Sequence, residues 1–216
     1  MAYSVDFLIN SLRKNELSDP NAITWSDQDL LDVLNEAILM LLSYRPDANT
    51  IRTTVTLLDG AVQDIPNDGL RFLRMFNNVN PDATIGQAAR YVDIVALNNS
   101  DPNWQSVPSG GIVHEYGFLN DNLTRYYVNP SAVAGMQVQI EYSKIPDPIT
   151  DVLDDFPIQA TYIPAVKNLM MHILLSGDNN SGINTGKDHL AIAQSLLQIK
   201  TVVDKGKDRQ TNRKEQ

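Results

Sequence analysis

The proline at position 46 constrains this chain more than any other single feature, because a helix must stop there and a sheet must begin. Ser26 precedes the helix as a cap, with Asp29 three residues on, a relative of the capping box. Asp27 and Asp29 suit the positive end of the helix dipole. Leu30, Leu31, Leu34, Ala37, Ile38, Leu41 and Leu42 then recur at helical spacing and form a broad apolar stripe. Pro46 biases Arg45 away from helical backbone and ends the run. Thr50 to Leu58 is rich in β-branched residues, and Leu58-Asp59-Gly60-Ala61 supplies a turn into Val62 to Ile65. The junction holds no nucleophile, metal cluster or phosphate loop.

Around it the period changes twice. Asp6 to Lys14 is expected as a short first helix, and Asn15 to Asn21 as a loop. Beyond the first hairpin, Leu70 to Val79 continues as strand, Asn77-Asn78 with Pro81-Asp82 marks a loop, and Ala88 to Ala96 alternates loosely. Asn98 to Gly111 is expected as a long loop anchored by Trp104. Ile112 to Leu119, Arg125 to Val128 and Met136 to Tyr142 read as three strands. The last sets Val138, Ile140 and Tyr142 on one face against Gln137, Gln139 and Glu141 on the other. After a Pro/Asp-rich connector from Ile145 to Pro157, a helix is expected over Gln159 to Ser176, with Pro164 at its first turn or kinking it. Gly177 to Gly186 is a polar break before a final helix, about Lys187 to Asp204. Leu190, Ala193, Leu196, Leu197 and Val203 line one side of that helix, with Ile192, Ile199 and Val202 elsewhere around it. A helix apolar on more than one face touches two neighbours, and the second here can be another subunit.

Helices at both ends with strands between predict an α+β fold: a helical bundle formed by the N- and C-terminal helices with an inserted antiparallel β-sheet region. The expected boundaries are 1–48 and 158–205 for the bundle, 49–147 for the insert, and 206–216 for a flexible basic tail. At 216 residues, 43% of them apolar, the chain can bury a real core. The N-terminus lacks a basic region followed by an apolar core, which argues against a signal peptide. The longest apolar run, Ala37 to Leu42, is far too short to span a bilayer, so no membrane partner is expected. Cysteine is absent, which excludes disulfides and thiolate chemistry.

Candidate chemistry is thin. His114, His172 and His189 have no second ligand at metal spacing, so no metal is expected. Asp151, Asp154 and Asp155 cluster beside Pro157. Paired acids can hydrolyse glycosides, but only with one acid in an apolar pocket and an aromatic groove, and a proline-flanked connector favours solvated turn residues. Gly110-Gly111 and Gly135 lack the strand-to-helix setting of a phosphate loop, and no G-x-S-x-G frame surrounds Ser109. Neither a catalytic residue nor a cofactor is expected. Tyr116, Phe118, Tyr126, Tyr127 and Tyr142 fall in strands almost free of Lys and Arg, so they are expected to pack the sheet and not to stack nucleic-acid bases. The formal net charge of −9 disfavours a sequence-independent grip on phosphates. The end departs from that balance: Lys205, Lys207, Arg209, Arg213 and Lys214 outnumber Asp204, Asp208 and Glu215. Such an end is a frayed tail or an arm that orders on an acidic partner.

One resemblance spans roughly Trp25 to Val203. Trp25, Leu30-Leu31, Asn35-Glu36-Ala37, Arg45-Pro46-Asp47, Leu57-Leu58-Asp59-Gly60 and Val62-Gln63-Asp64-Ile65-Pro66 follow in order. Asp101-Pro102-Asn103-Trp104, Tyr126-Tyr127-Val128-Asn129-Pro130 and Val138-Gln139-Ile140-Glu141-Tyr142-Ser143-Lys144-Ile145-Pro146 continue the series, with His172 in the long apolar helix. In order and spacing these resemble the head-to-tail adaptor (connector) proteins of tailed bacteriophages.

That resemblance implies a virion structural protein without a catalytic site, made in the host cytoplasm and placed in the neck between head and tail. It implies a homo-oligomeric ring, commonly a dodecamer, that docks on the portal protein, meets tail or nozzle proteins on its other side, and passes DNA only as cargo through its channel. The basic residues Lys205, Lys207, Arg209, Arg213 and Lys214 are then the expected portal contacts, and Trp104, Asn98 and Asp101 the expected tail contacts. An acidic channel wall denies sliding phosphates a sticking point. Three other readings stay open: a tail-completion or tube-terminator protein of six-fold symmetry, a glycan hydrolase using Asp154 and Asp155, and a stand-alone binding domain.

Overall fold

The computed structural model describes residues 4–107, 111–176 and 185–197. The chain divides into two compact units, Met1–Ala48 with Pro146–Gln216, and Asn49–Ile145.

The first unit holds α1 (Val5–Leu12), α2 (Asp27–Tyr44), α4 (Ile163–Ser176) and α5 (residues 185–197). Ser4 caps α1 by accepting from the Phe7 N–H. The expected helix over Asp6 to Lys14 loses its regular turn at Arg13, and Arg13–Leu17 forms a π-helical turn. On α2 the capping box is complete: Asp29 N donates to Ser26 Oγ and Ser26 N to Asp29 Oδ2. All seven residues of its apolar stripe are buried, and α2 packs on α4. Pro164 occupies the second position of α4, where its missing N–H costs nothing.

The second unit is a sheet-on-sheet core. One four-stranded sheet runs β1 (Thr50–Thr56), β8 (Gln137–Lys144), β3 (Gly69–Val79) and β4 (Ile85–Ala88), antiparallel throughout. The other runs β2 (Gly60–Asp64), β7 (Arg125–Ala132), β6 (Glu115–Gly117) and β5 (Arg90–Tyr91), and its β5–β6 pair is parallel. Gly60 turns the chain from the first sheet to the second with a φ of 107°, a conformation that glycine adopts without strain. Phe72 and Met75 of β3 and Val138, Ile140 and Tyr142 of β8 share one core cluster with Tyr116, Tyr126 and Val128 of the opposite sheet. Phe72 stacks on Tyr126 at 4.5 Å and meets Tyr116 edge-on at 5.9 Å. The expected alternation of β8 is thus met, and the strand tyrosines pack the sheets.

These observations correct the expected fold class. The chain is α+β, but its helices are scattered along it and not gathered from its two ends into a bundle, and one of its two compact units is sheet-rich. The centre is two four-stranded sheets, one of them mixed, where a single antiparallel insert was expected. Part of the reason lies in residues 85–107: a segment expected to alternate and then loop holds β4, β5, α3 (Ile94–Ser100) and a 3-10 turn at Trp104–Ser106.

Candidate assembly surfaces

Trp104, Asn98 and Asp101 do come together. Asp93 caps α3 by accepting from Val95 N and Ala96 N, which fixes the short helix although Asn98-Asn99-Ser100 is a poor helical run. Asp101 ends it, taking the Asn103 N–H on its carboxylate. Trp104 then folds back and donates its indole N–H to Asn98 Oδ1 at 2.7 Å. The indole is only 1% exposed, packed with Ala61, Ile94 and Leu97 and set edge-on to Tyr127. It anchors this corner to the outer face of the second sheet, while Asn98, Asp101 and Val95 stay exposed. Ser131 reinforces the anchor, donating its hydroxyl to the Gln105 carbonyl and its N–H to the Val107 carbonyl.

The final helix departs from its expected faces: Leu196, expected on the side of Ala193 and Leu197, is exposed with Ile192, and residues 198–204 of the expected helix lie outside the described residues. Ala193 and Leu197 are buried, while Ile192 (48% exposed) and Leu196 (37%) lie one turn apart in solvent. Its inner side is fixed by polar contacts: His189 Nδ1 pairs with Asn168 Oδ1 at 2.9 Å, His172 Nδ1 with the Gly186 carbonyl at 2.9 Å, and Arg45 donates to the Leu197 carbonyl. Both histidines therefore join helices. Among the described residues no group of three or more His, Asp or Glu side chains is gathered as a metal site would need, and no helix is long and apolar enough to cross a membrane.

The acidic trio of the connector builds a turn. Asp154 Oδ2 accepts from Thr150 N and Asp151 N at 3.1 Å, and Asp151 Oδ1 from Leu153 N at 2.9 Å. Asp155 forms a bridge with Ser4, and the Asp154 carbonyl accepts the Val5 N–H, so this turn seats the start of α1. The five basic residues Lys205, Lys207, Arg209, Arg213 and Lys214 lie outside the described residues.

Sequence reasoning passed over Arg13. It is 3% exposed, and its guanidinium donates to Asp19 Oδ2 (3.3 Å), the Trp25 carbonyl (2.7 Å) and Asp27 Oδ1 (2.7 Å). Asp19 in turn accepts from the N–H groups of Ile23, Thr24 and Trp25. Burial alone raises the Asp19 carboxyl, but those backbone donors and the Arg13 charge outweigh it and hold it below its ordinary value. The knot ties the end of α1 to the start of α2. A basic residue at the edge of an apolar helical stripe with two acids close downstream was the available signal.

Residues 5–214 match the family model described as SU10 adaptor protein, a phage head-to-tail adaptor family. The match covers nearly the whole chain, and the chain belongs to this family. No curated protein matches it.

Proposed function

We propose that this member of the SU10 adaptor family forms a ring in the viral neck, docks on the portal protein, joins it to the tail and leaves a channel through which DNA passes. Its family makes it a phage adaptor protein, a virion component that meets other head or tail parts; the ring, the portal and the channel are the finer reading. The observation that carries it is the pair Ile192 and Leu196, exposed on a helix whose opposite side is already buried. Contiguous apolar side chains on such a helix are what a neighbouring copy would cover. The net charge of −9 supports a wall along which phosphates slide without sticking. Lys205, Lys207, Arg209, Arg213 and Lys214 would order in an acidic portal groove. At the tail side, Asn98, Asp101 and Val95 would make the contact, with Trp104 holding them in place from below.

Removing Lys205 to Gln216 tests the portal contact. The truncated chain should keep its fold and lose affinity for purified portal. Equal affinity in the two forms would remove the basic tail from the account.

A further inference from the structure

The first sheet has one open, unguarded edge. β1 ends the order β1-β8-β3-β4, and among the described residues only β8 pairs with it. Their register runs from Thr50↔Ser143 to Thr56↔Gln137 without a shift. At its two ends the same register is continued by Lys144 N donating to Asn49 O and Leu57 N donating to Met136 O. Bonded pairs alternate along an antiparallel ladder, so the odd-numbered residues of β1 bond β8. Thr50, Arg52, Thr54 and Thr56 therefore aim their N–H and C=O groups away from the sheet.

Sheets guard such edges with a proline, a lysine, a bulge or an inward charge. The sequence Thr-Ile-Arg-Thr-Thr-Val-Thr has none of these. Its one charge, Arg52, folds back over its own sheet, with its guanidinium 3.6 Å above the Phe76 ring and a bond to Gln139. The far edge is different: β4 is four residues long and its register with β3 shifts between Asn77 and Val79. On the core face of β1, Ile51 and Val55 pack against the core cluster but stay half-buried.

We propose that β1 receives an added antiparallel strand, an extended segment of another protein of the neck, with apolar side chains at alternate positions over Ile51 and Val55 and a carboxylate opposite Arg52. This is strand addition, in which backbone bonds give affinity and alternate side chains give selectivity; it rests on the neck-adaptor reading above. Charge singles out this occupant over a second copy. Glu141 faces Arg52 across the ladder but pairs with Arg74, so Arg52 bonds Gln139 and makes no ion pair among the described residues, and two copies paired about Thr53 would set Arg52 against Thr54. A strand donated at every position of a ring gains strength by repetition.

Hydrogen exchange in intact virions and in the free chain tests this. The amides of Arg52, Thr54 and Thr56 should exchange at least about 100-fold more slowly in the virion. Thr54→Pro should leave the melting temperature of the free chain nearly unchanged, because that N–H makes no internal ladder bond, and should lower the yield of joined particles. The chain has no cysteine, so Thr50→Cys carrying a benzophenone should crosslink in virions to a different neck protein. Equal exchange rates in the two states would overturn the proposal, as would a crosslink to a second copy of this chain. Rings counted on portal with the unaltered chain separate the two readings: rings with fast edge amides sink this inference alone, and slow edge amides without rings sink the ring alone.

Discussion

The side-chain amide of Asn35 exchanges two hydrogen bonds with the backbone of Ile149, Nδ2 donating to its carbonyl and Oδ1 accepting its N–H, both at 2.9 Å. Asn35 stands on α2 and Ile149 in the connector that precedes α4, so one amide holds the returning chain against the helix. Asn35→Ala leaves both groups of a buried residue unpaired and should lower stability by about 1–3 kcal/mol. Asn35→Asp removes the donor and sets a carboxylate against the Ile149 carbonyl, and should cost at least as much at neutral pH. Urea midpoints of the three proteins check both.

Arg13 should be the most sensitive basic residue of the first unit. Arg13→Met strands Asp19, which is 6% exposed, and should lower the melting temperature by on the order of 5–10 °C. Arg13→Lys should recover little, since one ammonium cannot reach Asp19, Asp27 and the Trp25 carbonyl with a fixed fork. Melting curves with amide exchange over residues 19–27 report the loss.

Acid should weaken the fold through a small set of carboxylates. Asp19 lies below the ordinary 3.8 despite burial, through the donors named above. Asp29 is lowered by the Ser26 hydroxyl and N–H, and Asp68 chiefly by the Tyr142 hydroxyl. Groups lowered on folding contribute fully above their unfolded value and lose that contribution as pH falls through the folded one. The melting temperature should therefore be flat above about pH 5 and fall below 3.8. Asp19→Asn should start lower and show a shallower acid limb. At the other end, burial and the Asp68 carboxylate push the Tyr142 hydroxyl up to about 12, so its donation to Asp68 persists below that pH and is lost above it.

Ser143 is fully buried between β1 and β3, and its hydroxyl has no partner among the described residues. Ser143→Ala removes an unpaired polar atom at little cost in volume. It should stabilise the protein by up to about 1 kcal/mol, read as a higher urea midpoint with an unchanged slope.

What the sequence disclosed is what is encoded locally. Ser26, Asp29 and the leucine stripe of α2 are cap and period within one helix, and Val138, Ile140 and Tyr142 declare their shared face by alternation. The pairing of β1 with β8 is another matter: Thr50 meets Ser143, and nothing near either residue records it. Two sheets therefore read as one, and a helical bundle was drawn where the helices are scattered. The segment Ile94–Ser100 was hidden because Asn98-Asn99-Ser100 is loop composition, overridden by the Asp93 cap and by the burial of Ile94 and Leu97. Trp104 was legible as an anchor, but its burial depends on Tyr127 and Ala61, both remote in sequence.

Ile192 and Leu196 should matter for assembly and not for folding. Ile192→Lys with Leu196→Glu exposes no new core and should shift the melting temperature by no more than a few degrees. Rings formed on portal should fall at least about tenfold, since two charged side chains would have to be desolvated in an apolar contact. Ring counts and melting curves on the same preparations check the two halves together.

Cryo-microscopy of purified portal mixed with the full chain addresses the central claim directly. The account predicts a closed ring of this chain seated on the portal, with the helix at residues 185–197 between neighbouring copies and an open axial channel. Portal particles bare of the chain at saturating concentration, or single copies bound without contact to one another, would contradict it.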